Sequence, residues 1–247
     1  MRIVKIALLP VLLMVPVLFA QSPETKTTDQ VVTRIDFVAV EASETDSRCK
    51  TRFALNLAAG VAFPKMARLS EYTSWINGTS EGDIRDIEYQ GNYLGSFEYF
   101  LHPVLGIGAG YEFINAATDG TVYFMETPRR FEIDLKTHGV FGLVHTNFEV
   151  LRDRFALGIA ARIGHYWSSY TESENGYLEK GDDTSLGTEL TGGFLWLAGC
   201  HISVGIEAGY RWLKFGDYVV AWVSPGNPPA QADFTGPTTR AILSIRF

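Results

Sequence analysis

From Phe53 to Phe63 every second residue is apolar, with Phe53, Leu55, Leu57, Ala59, Val61 and Phe63 on one side and Asn56, Ala58 and Gly60 on the other. A repeat of two sends alternate side chains to opposite faces of an extended chain, so the segment predicts a strand with one greasy side. The signature recurs down the sequence. Tyr93, Phe97, Tyr99 and Leu101 oppose Ser96 and Glu98; Leu105, Ile107, Ala109, Tyr111 and Phe113 oppose Gly106, Gly108, Gly110 and Glu112. Phe155, Leu157, Ile159, Ala161 and Ile163 oppose Gly158, Arg162 and Gly164, and Leu186, Leu190, Phe194 and Trp196 oppose Glu189 and Thr191. Ile202, Val204, Ile206, Ala208, Tyr210 and Trp212 oppose Ser203, Glu207 and Arg211. In the final segment, Phe234 to Phe247, Thr239, Ala241, Leu243, Ile245 and Phe247 oppose Arg240, Ser244 and Arg246. The stretch from about Phe131 to Val150 is less regular: its first half is apolar at odd positions, whereas Val140, Val144 and Phe148 are even. A bulge near Gly139 or Gly142 would reconcile the two halves.

Eight strands result. Their tight connections fall at His102 to Val104, Leu151 to Asp153 and Gly199 to Cys200, and their long ones at about 64 to 90, 117 to 130, 172 to 184 and 217 to 233. Pro64 to Asn77, in the first long connection, is expected to form a short helix.

A soluble barrel would turn its apolar face inward. Here that face carries Tyr93, Tyr111, Tyr210, Trp196 and Trp212 toward strand ends, as aromatic girdles at a membrane interface do. Turning Arg240 toward lipid near mid-depth would cost about 2 to 4 kcal/mol, so the charged face is assigned to the interior. The last strand also ends on Phe247. In this it resembles the closing strand of bacterial outer-membrane β-barrels, where a terminal Phe belongs to the assembly signal. The resemblance is to the small OmpA, OmpX and OmpW-like barrels and covers residues 52–247. It implies an all-β, membrane-spanning, eight-stranded antiparallel up-and-down β-barrel in the outer membrane of a Gram-negative-type cell. The even strand count returns both termini to the periplasmic side and puts the long connections outside. Implied partners are outer-membrane lipid, lipopolysaccharide, and the barrel assembly machinery acting on the C-terminal strand; a monomer is expected.

Residues 1–20 carry Arg2 and Lys5, an apolar run from Ile6 to Phe19 and then Ala20, the pattern of a secretory signal peptide. Its apolar core of about 14 residues is short for a membrane-spanning helix. Residues 21–51 are polar apart from the alternating island Val32 to Val40 and are expected to form a periplasmic N-terminal segment. Loss of Arg2 and Lys5 takes the formal charge from −7 to −9, which argues against a nucleic-acid partner. At 247 residues with 46% hydrophobic content the chain suffices for one sizeable domain.

With the charged face inward, Glu98, Glu112, Glu189, Glu207, Arg162, Arg211 and Arg240 all enter one lumen. An eight-stranded barrel is just wide enough for side chains to fill. Ionised groups in that space must pair, because an isolated desolvated charge is costly. OmpA-type barrels have such an interior, which implies a closed lumen and a structural or surface-interacting role. The alternatives are a passive channel for small or hydrophobic molecules, as in OmpW-like barrels, and a lipid A-modifying enzyme. Barrel deacylases of lipid A use a His and a Ser two residues apart; two positions beyond His165 stands Trp167, which counts against that chemistry. No metal-ligand spacing, phosphate loop or nucleophile elbow is present, and no cofactor is implied. Cys49 precedes the first strand and Cys200 opens the seventh. In a closed ring their strand bases stand about 10 Å apart, so the two form either a disulfide or a pair of free thiols. The acids Glu71, Glu81, Asp83, Asp86 and Glu88, and Glu172, Glu174, Glu179, Asp182 and Asp183, belong to outer connections. They form a solvated face or bridge lipopolysaccharide phosphates through divalent cations.

Overall fold

The structure, a computed structural model, describes residues 51–150, 154–175, 177–199, 201–218 and 230–247. The expected signal peptide, all but the last residue of the segment 21–51, and both cysteines lie outside the described residues. The chain runs β1 (Phe53–Ala62), α1 (Ala67–Ser80), β2 (Gln90–His102), β3 (Leu105–Phe124), β4 (Thr127–Val150), β5 (Phe155–Glu174), β6 (Tyr177–Leu197), β7 (Ile202–Trp212), β8 (Lys214–Tyr218), β9 (Ala230–Asp233) and β10 (Gly236–Arg246). Strands β1 to β7 pair antiparallel in sequence order, and β10 closes the ring between β7 and β1; β8 and β9 pair only with each other. The closing register sets Leu57 against Leu243 and Gly60 against Arg240. The seam is fastened at its base by Phe53 N–H donating to the Phe247 carbonyl at 3.0 Å and Phe247 N–H to the Phe53 carbonyl at 2.9 Å. This end, with its short turns, is the basal rim; the opposite end is the distal rim.

The lower barrel is inside out. Ile206 is 65% exposed, Ile163 62% and Leu157 49%, whereas the inward Arg240 is 2% exposed. Along β5 the outward apolar run extends from Phe155 to Trp167, about 40 Å of strand. At a tilt of about 45° that stands about 28 Å tall, close to the hydrocarbon thickness of a bilayer. Beyond it the outward side chains turn polar, as at Lys136, Asp134, Ser169 and Thr171. Aromatic pairs mark both edges: Tyr93 stacks on Phe113 at the upper one, and Phe53 on Phe97 and Phe247 at the lower.

Three expectations are corrected. There is no bulge at Gly139 or Gly142, since β4 pairs in unbroken register with both β3 and β5. Its odd residues point inward throughout; what changes is the interior, which is apolar around Phe131, Ile133 and Leu135. The stretches 117–130 and 172–184 are continuations of strands rather than loops. A hairpin turn at Met125 and Glu126, both at positive φ, joins β3 to β4, and Asn175 at φ 51° begins the turn from β5 to β6.

These extended strands enclose a second core, oriented as in a soluble protein. The expected helix is present as α1, and it buries Leu69, Tyr72, Thr73 and Ile76, one stripe at helical spacing. Leu69, Tyr72 and Ile76 pack with Ile114, Leu135 and Tyr170, with Phe215 of β8 and with Phe234 just after β9. The Asn77 side chain clamps the exit from α1, accepting from Ile84 N–H and donating to the Ile84 carbonyl, both at 2.9 Å.

Between helix and wall lies Glu172, whose carboxylate accepts hydrogen bonds from the hydroxyls of Tyr72, at 2.9 Å, and Tyr170. Burial, together with Glu172 beside them, pushes both phenols up, so they remain donors. Burial also pushes the Glu172 carboxyl up; the two tyrosine bonds oppose it, and Glu179 and Glu174 add to it. A raised carboxyl binds its proton more tightly in the folded state than in the unfolded one. The stability of this distal layer therefore falls as pH rises from the ordinary carboxylate value, about 4.3, through the raised one. Amide exchange in α1 is expected to be slower at pH 4 than at pH 7 after correction for intrinsic rates, and Glu172→Gln should flatten the difference.

Gly139 is required by close approach. A Cβ on Gly139 would stand 2.2 Å from the Tyr166 ring, which lies across it from β5. Gly139→Ala is expected to displace that ring and cost about 1 to 3 kcal/mol, read as a lower denaturant midpoint of the folded barrel band on gels.

Candidate functional site

Where β5, β6, β7 and β10 lie side by side, their inward positions alternate in sign. Arg162 is directly opposite Glu189, Glu189 opposite Arg211, and Glu207 opposite Arg240. Cross-strand neighbours of opposite charge attract, and here the side chains extend past their neighbours to meet across the lumen. Arg240 is the hub. Its Nη2 donates to Glu189 at 2.6 Å and to Glu112 on β3 at 3.0 Å; its Nη1 donates to Glu207 at 2.7 Å. Its Nε donates to the Asn92 side-chain carbonyl at 3.0 Å. Arg162 reaches Glu207 at 2.8 Å and Glu189 at 3.0 Å, while Arg211 meets Glu112 and lies 3.5 Å from Glu189. Thr238 donates to Glu189 at 2.9 Å, and Asn92 and Tyr166 donate to Glu112 at 2.6 and 2.8 Å.

Three guanidiniums thus face three carboxylates, all nine-tenths buried or more. Arginine cannot shed its proton, so neutrality comes from this matching. Backbone geometry makes room for the hub. A Cβ on Gly60 would lie 2.0 Å from the Thr239 carbonyl oxygen and 2.8 Å from Arg240 Cγ, so only a glycine lets the Arg240 stem cross the seam. Each carboxylate is shared by several donors, so the cluster is one connected set of charge-assisted hydrogen bonds.

Six of the seven lumen charges picked out in the sequence meet here. Glu98 does not. It lies nearer the basal rim and bonds to Asn56 Nδ2 and, at 3.0 Å, to His145 Nδ1. His145 is inward on β4, as the outward Val144 and Phe148 imply, and a count of Glu and Arg alone leaves it out. His165 faces outward, edge-on to Trp167 with ring centroids 4.9 Å apart, at the upper girdle. His138 also faces outward and contacts the Tyr111 hydroxyl. Several of the outer acids serve the distal layer: Asp86 accepts from Thr73, Asp83 from Thr121 N–H, Asp183 from Gly216 N–H, and Glu174 pairs with Arg129 at 2.9 Å. Among the described residues no group of three His, Cys, Asp or Glu is placed to hold a metal.

Closed pairing, an outward apolar belt and a charged, neutral interior define a small membrane-spanning β-barrel. No family model and no curated protein matches the chain. Among solved structures it is similar to Neisserial surface protein A, at 10% identity over 79% of this chain and 96% of that one, with a TM-score of 0.46. It is also similar to the outer membrane protein OprG of Pseudomonas aeruginosa, at 11% identity over 81% and 97% with a TM-score of 0.45. A third is Ail, the attachment invasion locus protein of Yersinia pestis, at 11% identity over 79% and 98% with a TM-score of 0.41. At these levels the likeness is one of fold, and the class assignment rests on the strand pairing itself.

Arg240→Met leaves three buried carboxylates facing two cations and is expected to cost about 3 to 5 kcal/mol. Adding Glu112→Gln to it should recover part of that loss, a non-additivity readable from denaturant midpoints of the single and double variants.

Proposed function

We propose that the protein is an integral outer-membrane barrel with a structural or surface-interacting role and a lumen closed to solutes. The observation that carries this reading is the neutral cluster of three arginines and three glutamates across the lumen, with the packed distal layer above it. A conducting path would have to separate these pairs and also breach a second, apolar core. The reading places the basal rim in the periplasm and the distal layer at the cell surface, with outer-membrane lipid and lipopolysaccharide around the belt. It assigns Phe247 to recognition by the barrel assembly machinery, and it assigns no catalysis. The strands that carry Tyr123, Met125, Tyr177 and Leu178 beyond the belt leave them exposed, which suits a surface that meets other molecules. Purified protein in planar bilayers is expected to show no steady unitary conductance. A reproducible single-channel step would replace this reading with the passive channel.

A further inference from the structure

Below the ion cluster the lumen does not fill. A cavity of about 40 Å³ lies between Arg162 and Glu207 above and Ser244 and Arg246 below, bordered by Glu98, His145 and Asn147. Two buried groups on its wall, the side-chain carbonyl of Asn147 and Nε of Arg162, have no hydrogen-bond partner. Their side chains are nine-tenths buried or more, so leaving them dry is costly. His145 adds a third polar atom: with Nδ1 engaged by Glu98, its Nε2 is left facing the space over Gly158. A Cβ on Gly158 would stand 2.8 Å from that Nε2 and 3.0 Å from Asn147 Oδ1, so the two atoms converge on a spot that only glycine leaves open.

The wall therefore presents one unpaired donor beside two acceptors. A ligand that both donates and accepts fits that set, and at roughly 10 to 15 Å³ for each water the space takes about three. Access is one-sided. Toward the base, Arg246 is half-buried and the His145 side chain keeps 16% of its surface exposed. Toward the distal end, Glu112, Ile114, Thr137 and Leu135 are at 0%.

We propose that the lower lumen is a blind vestibule, entered from the basal rim, that takes water and solutes of comparable size and brings them to the Glu98–His145 pair. The cluster above is balanced within itself, and among the described residues Glu98 has no lysine or arginine partner. The same space is also lined by Asn56 from β1, Arg162 from β5, Glu207 from β7 and Arg246 from β10.

Two measurements test this. In a background with Cys49 and Cys200 replaced by Ser, Ala160→Cys, on the vestibule wall, is expected to react with silver ion at least about 100-fold faster than Thr137→Cys, above the cluster. Equal protection of both thiols overturns the vestibule, and ready reaction of both overturns its blind end. In the unaltered chain, deuterium exchange at the imidazole C2 position should label His145 within a few-fold of the exposed His201. An unlabelled His145 beside a fully exchanged His201 overturns the proposal whether or not the cysteine variants fold.

Discussion

Ionised side chains inside a cylinder surrounded by hydrocarbon must find their counter-charges within it, and the pairing of Arg162, Arg211 and Arg240 with Glu112, Glu189 and Glu207 answers that constraint. It is met by position before it is met by reach. Directly opposed residues on β5, β6, β7 and β10 alternate in sign, and Glu112 completes the set from across the lumen. Because β10 carries the hub and β1 carries Gly60 beside it, the electrostatic solution and the ring closure are one event.

The molecule switches polarity along its axis. In the belt, apolar side chains face out and charged ones face in. Above the level of Tyr166 and Thr137, polar side chains face out and an apolar core forms around α1 and the long strands. Tyr166 joins the two regimes, with its ring in the apolar core and its hydroxyl donating to Glu112 at 2.8 Å. Neither core continues through the other, so the barrel holds two cores built on different physics.

The belt was legible because one environment per face makes a clean two-residue period. All eight strands and their inward charges could be read from residues such as Leu55, Leu57, Glu207 and Arg240. Legibility ended where the environment changed. In β4 the inward Phe131, Ile133 and Leu135 resembled outward residues, so a bulge was invoked where the register is continuous. The distal halves of β3 to β6 looked like loops because their outer face is polar and their inner face mixed. Met125 and Glu126 gave no hairpin signal, while Asn175 followed by Gly176 was one that a reading for loops passed over. Partners were less legible than positions. Nothing in the spacing says that Glu98 reaches His145 while Glu112 reaches Arg211 and Arg240, since that depends on strand stagger and side-chain length.

The placement of Arg240 has a consequence for biosynthesis. The seven barrel strands translated before β10 supply Glu112, Glu189 and Glu207 but only Arg162 and Arg211 to the cluster, so a nascent chain lacking its last eleven-residue strand carries an uncompensated negative charge toward the axis. The final basic residue arrives only with the closing strand. A truncated translation product is thereby left electrostatically unfinished as well as open-edged, which distinguishes it from the complete polypeptide.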